Sequence, residues 1–435
     1  MIHISDNCVK GKEVAEEHIC NLQKIAEKPI SELNLDDYPN LLIFPSCFDE
    51  CGDMIGKEHI LEVKERMLFT GNVMGFIGYQ NTKIRIHSRF AQQDGNDYFL
   101  HYMLQRVFAV NLFDLKYNAD EESLFDFLIY LFPAFLKRAM RQGIYKEYQT
   151  RQYNNSNVKG RVEVGRHIQQ NIPFIGKAAF SVREYAYDNH VNQLIRHTIE
   201  YIAQHSYCGS ILQNDDSIKD AVAKIRGITP TYNQKERRIV VSQNLRPLNH
   251  PYYYEYRNLQ RLCMQILRHE ELKYGYDDQE IYGVLFDGAW LWEEYLNTFF
   301  KDEGFKHPQN KKGAGGLRMF RDNIGYETVM PDFYKQNVVL DAKYKGYKEW
   351  SDVGREDRFQ LLAYMYLLHA DYSGFVVPIS NPFSIQTVRN LNGYGGTMAL
   401  LGMNVAYLCT SFNEYVSCMT KEEKLLVEQI KQLNE

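Results

Sequence analysis

No stretch of this 435-residue sequence is long and apolar enough to cross a bilayer as a helix. The most apolar run, FDFLIYLFPAFL from Phe125 to Leu136, falls well short of the roughly 20 residues a span requires and contains Asp126 and Pro133. The opening residues, MIHISDNCVKGKEVAEEH, lack the apolar core of a secretory signal, so a cytoplasmic location and no membrane partner are expected. A cationic surplus is missing as well. With 50 Lys and Arg against 55 Asp and Glu the formal net charge is -5, and any nucleic-acid contact must rest on local patches or on a partner. Cysteine is sparse: of eight, only Cys47 and Cys51 lie close together, with no second pair to complete a zinc site. Free thiols in a reducing compartment are the expectation. The G-x-x-x-x-G-K-[ST] phosphate loop is absent, and the nearest glycine-rich stretch, KKGAGGLRMF from Lys311, lacks its Lys-Ser/Thr end. Nucleotide hydrolysis, if the protein depends on it, belongs to another subunit. Neither internal repeats nor low-complexity segments occur.

What is present fits an ordinary water-soluble protein, 45% hydrophobic and 24% charged, long enough for two or three domains. Residues 1–115 read as β-rich: LLIFP starts at Leu41, and KIRIHSRF alternates like a half-buried strand after a polar turn at Gln80 and Asn81. Residues 116–280 read as mainly helical. SLFDFLIYLFPAFLKRAMRQG has helical apolar spacing and a terminal glycine, and DNHVNQLIRHTIEYIAQH follows a cap at Asp188 or Asn189. Within QKERRIVVSQNLRP, a charged turn before a strand IVVS is expected; contact of its Lys235, Arg237 and Arg238 with DNA or a partner is the other reading. Residues 281–435 alternate between helix and strand signals: a helix in FDGAWLWEEYLNTFFKDEG stopped at Gly304, strands around VMPDFYKQNVVLDAKYK, a helix in REDRFQLLAYMYLLHAD and the strand GFVVPI. That order is an α/β module, so the chain as a whole reads as multidomain, α+β followed by α/β.

The segment VMPDFYKQNVVLDAKYK, Val329 to Lys345, carries the chemistry. Val338, Val339 and Leu340 form a continuous apolar run, as in a strand covered on both faces. Asp341 and Lys343 then share one face of it, and charges there cost free energy unless they pair or bind an ion. A hairpin around Tyr334 to Asn337 would bring Asp332 beside Asp341. Two converging carboxylates suit Mg²⁺, and Lys343 is placed to orient or help deprotonate a water and to stabilise charge on a phosphate. A surface hairpin with a paired Asp and Lys is the structural alternative.

Pro331-Asp332, eight residues, then Asp341-Ala342-Lys343 resembles the PD-(D/E)xK nuclease motif. The resemblance implies a restriction-endonuclease-like α/β core, with Glu293 on the preceding helix as a further metal ligand, the Ala342 carbonyl as another, and Gln360 in DRFQLLAY contacting water or the scissile phosphate. Each has a plainer reading. Glu293 and Glu294 can be solvated helix residues, and Asp357 with Gln360 has capping-box spacing. Lys306, Lys311, Lys312, Arg318 and Arg321 precede the hairpin with no acid among them, as a DNA-backbone contact or as a solvated face.

The motifs DGAWLWEEYL, MPDFYKQNVVLDAKYK and DRFQLLAYMYLL, with weaker echoes in GFIGYQNTKIRIHSRF, in Gly160-Arg161 of NVKGRVEV and in REYAYDNHVNQLIRHTIEYI, resemble the McrC family. Its members are the nuclease subunits of McrBC modification-dependent (5-methylcytosine) restriction systems. The resemblance implies a Mg²⁺-dependent endonuclease acting on modified double-stranded DNA, docked through its N-terminal region on a ring of McrB-like AAA+ GTPase that binds the GTP. The region between about Tyr201 and Tyr282 is given no place by the resemblance. Two alternatives accompany it: a non-catalytic, nuclease-like activator of the GTPase, and a nuclease with another nucleic-acid substrate.

Overall fold

Alternation in TKIRIH becomes the strand Thr82–His87, whose Ile84 and Ile86 enter a buried core with Ile77, Leu41, Ile43 and Leu285. LLIF is the strand Leu41–Phe44, buried throughout. The computed structural model describes residues 1–26, 28–33, 38, 41–45, 59–91, 97–108, 121–204, 209–213, 215–273, 281–308, 316–320, 328–347, 349–380, 386–393 and 395–433. Cys47 and Cys51 lie outside them, as do Lys311, Lys312 and Arg321. The fold is mixed α+β and divides into two compact units, residues 1–125 with 275–435, and residues 126–274. Among the described residues no helix is long and apolar enough to cross a membrane.

The first unit contains two five-stranded sheets. One has the order Ile2–Ser5, Thr82–His87, Val73–Tyr79, Ile281–Asp287, Leu41–Phe44, so a strand from late in the chain runs between two early ones. The other runs Phe333–Lys335, Val338–Ala342, Tyr372–Ile379, Thr397–Asn404, Gln386–Asn390, with the three central strands parallel and both edge strands antiparallel to their neighbours. Helix Arg355–Leu368 crosses between the first two parallel strands and packs on them, burying Leu361 and Met365 against Val339, Phe375 and Val377. Helix Gly288–Phe300 packs on Val338–Ala342, and helix Phe412–Leu433 on Thr397–Asn404.

Strand Ile281–Asp287 passes straight into helix Gly288–Phe300. Asp287 makes the break, its side chain accepting the N–H of Ala289 at 2.9 Å and so satisfying one of the first-turn donors. The helix stops where Gly304 takes φ +82. The second unit holds a three-stranded sheet of Glu147–Asn155, Ala178–Ala186 and Arg161–Val162, with helices that include His190–Gln204, Asp216–Ile228 and Tyr254–Lys273. Helix His190–Gln204 is capped by Asn189, whose side chain accepts the N–H of Asn192 at 3.0 Å. The expected strand IVVS is instead the helix Arg237–Gln243. Asn233 starts a turn by accepting the N–H of Lys235, and burial of adjacent Val240 and Val241 beside helix His190–Gln204 outweighs the strand preference of a β-branched run.

Gly75 has φ +133, and a Cβ there would lie 2.1 Å from the carbonyl oxygen of Val284 in the neighbouring strand. Gly75→Ala is therefore expected to destabilise the first unit by about 3 kcal/mol or more. Gly227→Ala, on the open side of helix Asp216–Ile228 with nothing within 4 Å of the new Cβ, should stabilise by roughly 0.5 kcal/mol. Calorimetric melts of the two variants check both signs.

Candidate active site

The hairpin forms where its spacing suggests, with Gln336 at φ +42 between Phe333–Lys335 and Val338–Ala342. Phe333 pairs with Leu340, so one residue further along Asp332 stands across from Asp341. The Ala342 N–H donates to Asp332 Oδ2 at 2.7 Å, tying that carboxylate to the strand of the other. Asp341 is 2% exposed, the end of a run in which Val338, Val339 and Leu340 are also buried. Lys343 Nζ lies 2.8 Å from Asp341 Oδ2 and 3.8 Å from Asp357 Oδ1.

Electrostatically the cluster is lopsided. Burial pushes the Asp332 carboxyl well above its ordinary range, and the charges of Asp341 and Glu293 push it further, against Lys343 and the Ala342 N–H. The residue as a whole keeps some solvent contact, but its carboxyl group is enclosed. Burial also raises Asp341, with Lys343 pulling the other way. Lys343 itself is held cationic: burial opposes its charge, but Asp341, Asp332 and Asp357 outweigh that cost. A lysine in that state donates hydrogen bonds and stabilises negative charge.

Glu293 is brought to the same place by helix Gly288–Phe300 and is felt by Asp332. It also faces His307, a residue that no spacing rule singled out. His307 donates from Nδ1 to the carbonyl oxygen of Asp332 at 2.7 Å, stacks on Phe333 at 4.9 Å, and presents Nε2 to Glu293 at 3.7 Å and Glu294 at 3.9 Å. Burial works against its charge, yet the Glu294, Asp332 and Glu293 contacts raise its pKa on balance. The sequence signal was faint: one histidine in FKHPQN, three residues past a helix-stop glycine.

Gln360 does not close the N-terminus of its helix. Its Nε2 donates to Tyr364 Oη at 2.8 Å, and Tyr364 in turn donates to the Met330 carbonyl at 3.3 Å, at the base of the hairpin. Gln360 is exposed, and Gly354 occupies the cap position without a side-chain bond. Asp357 accepts from Lys345 Nζ and Tyr347 Oη, each at 2.8 Å. Of the basic segment, Lys306 is exposed and exchanges backbone hydrogen bonds with Tyr334 at 2.8 and 3.0 Å, beside the hairpin. Arg318 is exposed in the short strand Leu317–Arg318.

Residues 68–377 match the family model described as "McrBC 5-methylcytosine restriction system component", well over half of the chain. The chain belongs to this family. In fold it is similar to a chain of the tetradecameric assembly of Thermococcus gammatolerans McrB AAA+ hexamers with bound McrC, at TM-score 0.52 and 15% identity, covering 99% of each chain. A further similarity is to the Thermococcus gammatolerans McrBC complex, at TM-score 0.32 and 16% identity, over 70% of this chain and 88% of that one. No curated protein matches. The family match spans all of the hairpin, Glu293, His307 and Gln360.

Among the described residues no group of three or more Asp, Glu, His or Cys side chains is gathered closely enough to hold a metal ion as it stands. Asp341 is turned to Lys343 and Glu293 to His307. The donor chemistry nevertheless suits a hard divalent cation: two enclosed aspartates, one of them raised further by its neighbour Asp341 and by Glu293, are an arrangement such an ion relieves. With its folded pKa raised, Asp332 takes up a proton more readily in the folded than in the unfolded chain. Metal-free stability should therefore fall as pH rises from the ordinary carboxylate range through that raised value. Asp332→Asn is expected to flatten this dependence and to stabilise the metal-free protein at pH 7 by on the order of 1 kcal/mol. Thermal melts in chelator across pH 4 to 8 test it, and an unchanged slope would refute the electrostatic account.

Proposed function

We propose that this chain is the endonuclease subunit of a GTP-dependent, McrBC-like restriction complex in the cytoplasm, hydrolysing phosphodiesters of modified double-stranded DNA with Mg²⁺. It works with an AAA+ GTPase ring, which binds the GTP and whose hydrolysis it stimulates. Residues 1–115 are assigned to the ring contact. The observation that carries this reading is the convergence of Asp332, Asp341, Glu293 and Lys343 at one end of a mixed sheet with parallel central strands. Support comes from the order of elements around it, helix, hairpin, crossover helix and parallel strand, which fits the core that the PD-(D/E)xK resemblance implies. The family match and a structural relative that pairs McrC with McrB hexamers support the partner.

Asp332, Asp341 and Glu293 would hold Mg²⁺, with the Ala342 carbonyl as a further oxygen donor. The chemistry such an ion supplies is acidification of a bound water and neutralisation of charge on the phosphate. Lys343, kept cationic by its carboxylate neighbours, orients the attacking water and donates to phosphate oxygens as they gain charge. Glu293 also faces His307 Nε2 at 3.7 Å, a neighbour with which a bound ion would share it. Gln360, through Tyr364, steadies the start of the hairpin and exposes its own amide to DNA. Lys306 and Arg318, with Lys311, Lys312 and Arg321 on the same segment, follow the phosphate backbone.

The test is cleavage of methylated and unmethylated plasmid by the chain with its AAA+ partner, GTP and Mg²⁺. Asp341→Ala and Lys343→Ala should each lower cleavage by roughly 100-fold or more, with GTPase stimulation kept within about two-fold of wild type. Wild-type cleavage by both variants would instead make the protein a regulator whose Asp-Ala-Lys is structural. Cleavage that needs no GTPase partner would point to a different nucleic-acid substrate.

A further inference from the structure

The segment IHSRF, Ile86 to Phe90, contributes nothing to the carboxylate cluster, yet its side chains meet the residue that follows Lys343. Arg89 donates from its backbone N–H to Asp6 Oδ1 at 2.5 Å and from Nε to Asp6 Oδ2 at 2.9 Å. The Asp6 side chain is fully enclosed. Arg89 Nη2 donates to the side-chain oxygen of Asn72 at 2.6 Å, and its guanidinium carbon lies 4.7 Å from the centre of the Tyr344 ring. Phe90 meets that ring edge-on at 5.7 Å. The hydroxyls of Tyr344 and Ser88 are hydrogen-bonded at 3.1 Å, and the Ser88 N–H donates to Asp97 Oδ2 at 2.6 Å.

The same joint holds the helix that carries Glu293. The carbonyl of Asn72 accepts the N–H of Gly288 at 2.8 Å, and a Cβ on Gly288 would stand 2.8 Å from the Tyr344 ring, so only glycine permits this approach. On the far side the Val376 carbonyl accepts both the Lys343 N–H at 3.0 Å and Trp292 Nε1–H at 3.2 Å. Helix and strand are therefore clamped at two points, one of them built around a planar cation. A buried ion pair is a poor device for cohesion alone, since apolar residues of the same size hold at least as well. What the guanidinium adds is direction, because its fork and its flat face fix three partners at once.

We propose that Arg89 is a positioning residue of the nuclease site: with Asp6 and Tyr344 it sets the placement of helix Gly288–Phe300 against strand Val338–Ala342, and so of Glu293 relative to Asp332 and Lys343. This rests on the endonuclease reading above. It gives the N-terminal region, through Asp6, Asn72 and Arg89, a direct hold on the catalytic geometry. Lysine at position 89 keeps a charge for Asp6 but loses the fork to Asn72 and the stacking on Tyr344.

The experiment uses the full chain with its AAA+ partner, GTP, Mg²⁺ and methylated plasmid, comparing wild type with Arg89→Lys, Tyr344→Phe and Asp341→Ala. Single-turnover cleavage by Arg89→Lys should fall at least ten-fold, and by Tyr344→Phe about three-fold. KM for DNA and GTPase stimulation should stay within two-fold of wild type, and circular dichroism at the assay temperature should report folded protein. A loss confined to KM, a loss matched by the unfolded fraction, or a wild-type rate in both joint variants overturns the inference while Asp341→Ala stays inactive. Wild-type cleavage by Asp341→Ala overturns the nuclease reading itself.

Discussion

Two aspartates and a glutamate are crowded at the covered end of one strand with a single lysine among them, and the rest of the first unit is arranged around that imbalance. Enclosure makes the charges of Asp332 and Asp341 expensive, and repulsion from Asp341 and Glu293 makes that of Asp332 more so. Lys343 relieves part of this from two residues further along the chain, just past the strand, and His307 relieves part from a loop. Neither is a full answer. The cluster persists because well-packed apolar neighbours, Val338 to Leu340 with Phe375 and Val377, over-determine the strand that carries Asp341.

Holding those groups in place is the work of elements that contain none of them. Strand Ile281–Asp287 lies in the first sheet between Val73–Tyr79 and Leu41–Phe44, and its last residue caps the helix that presents Glu293. The direction of that helix is thus inherited from a sheet built largely by the N-terminal region. Gly75 and Gly288 are small for matching reasons: each lets a neighbour approach closely, in one case the strand from which the helix springs and in the other the ring that follows Lys343.

Much of the site was legible because its spacing is local. Pro331-Asp332 immediately precedes, and Asp341-Ala342 ends, one of two strands joined by a tight turn, so register follows from turn length and the placing of Asp332 across from Asp341 is readable in the sequence. Glu293 and Gln360 lie on helices that the order of helix and strand signals indicates, although the first partner of Gln360 is Tyr364 and not a helix terminus. The IVVS segment has strand propensity yet folds as a helix because propensity is a weak signal beside packing, and two buried valines in a helix satisfy the same apolar demand. His307 went unnoticed since a lone histidine carries no period.

By itself, then, the sequence determined the hairpin, the carboxylates and lysine upon it, the flanking helices and the family to which the whole resembles and belongs, because all of these depend on residues close together in the chain. The tertiary structure alone decided that residues 281–287 complete an N-terminal sheet, that His307 faces Glu293, and that Arg89, Asp6 and Tyr344 lock together. Those contacts join segments far apart in sequence. Their specificity comes from which enclosed polar groups find partners on folding, a condition set by three-dimensional burial and not written in any local pattern.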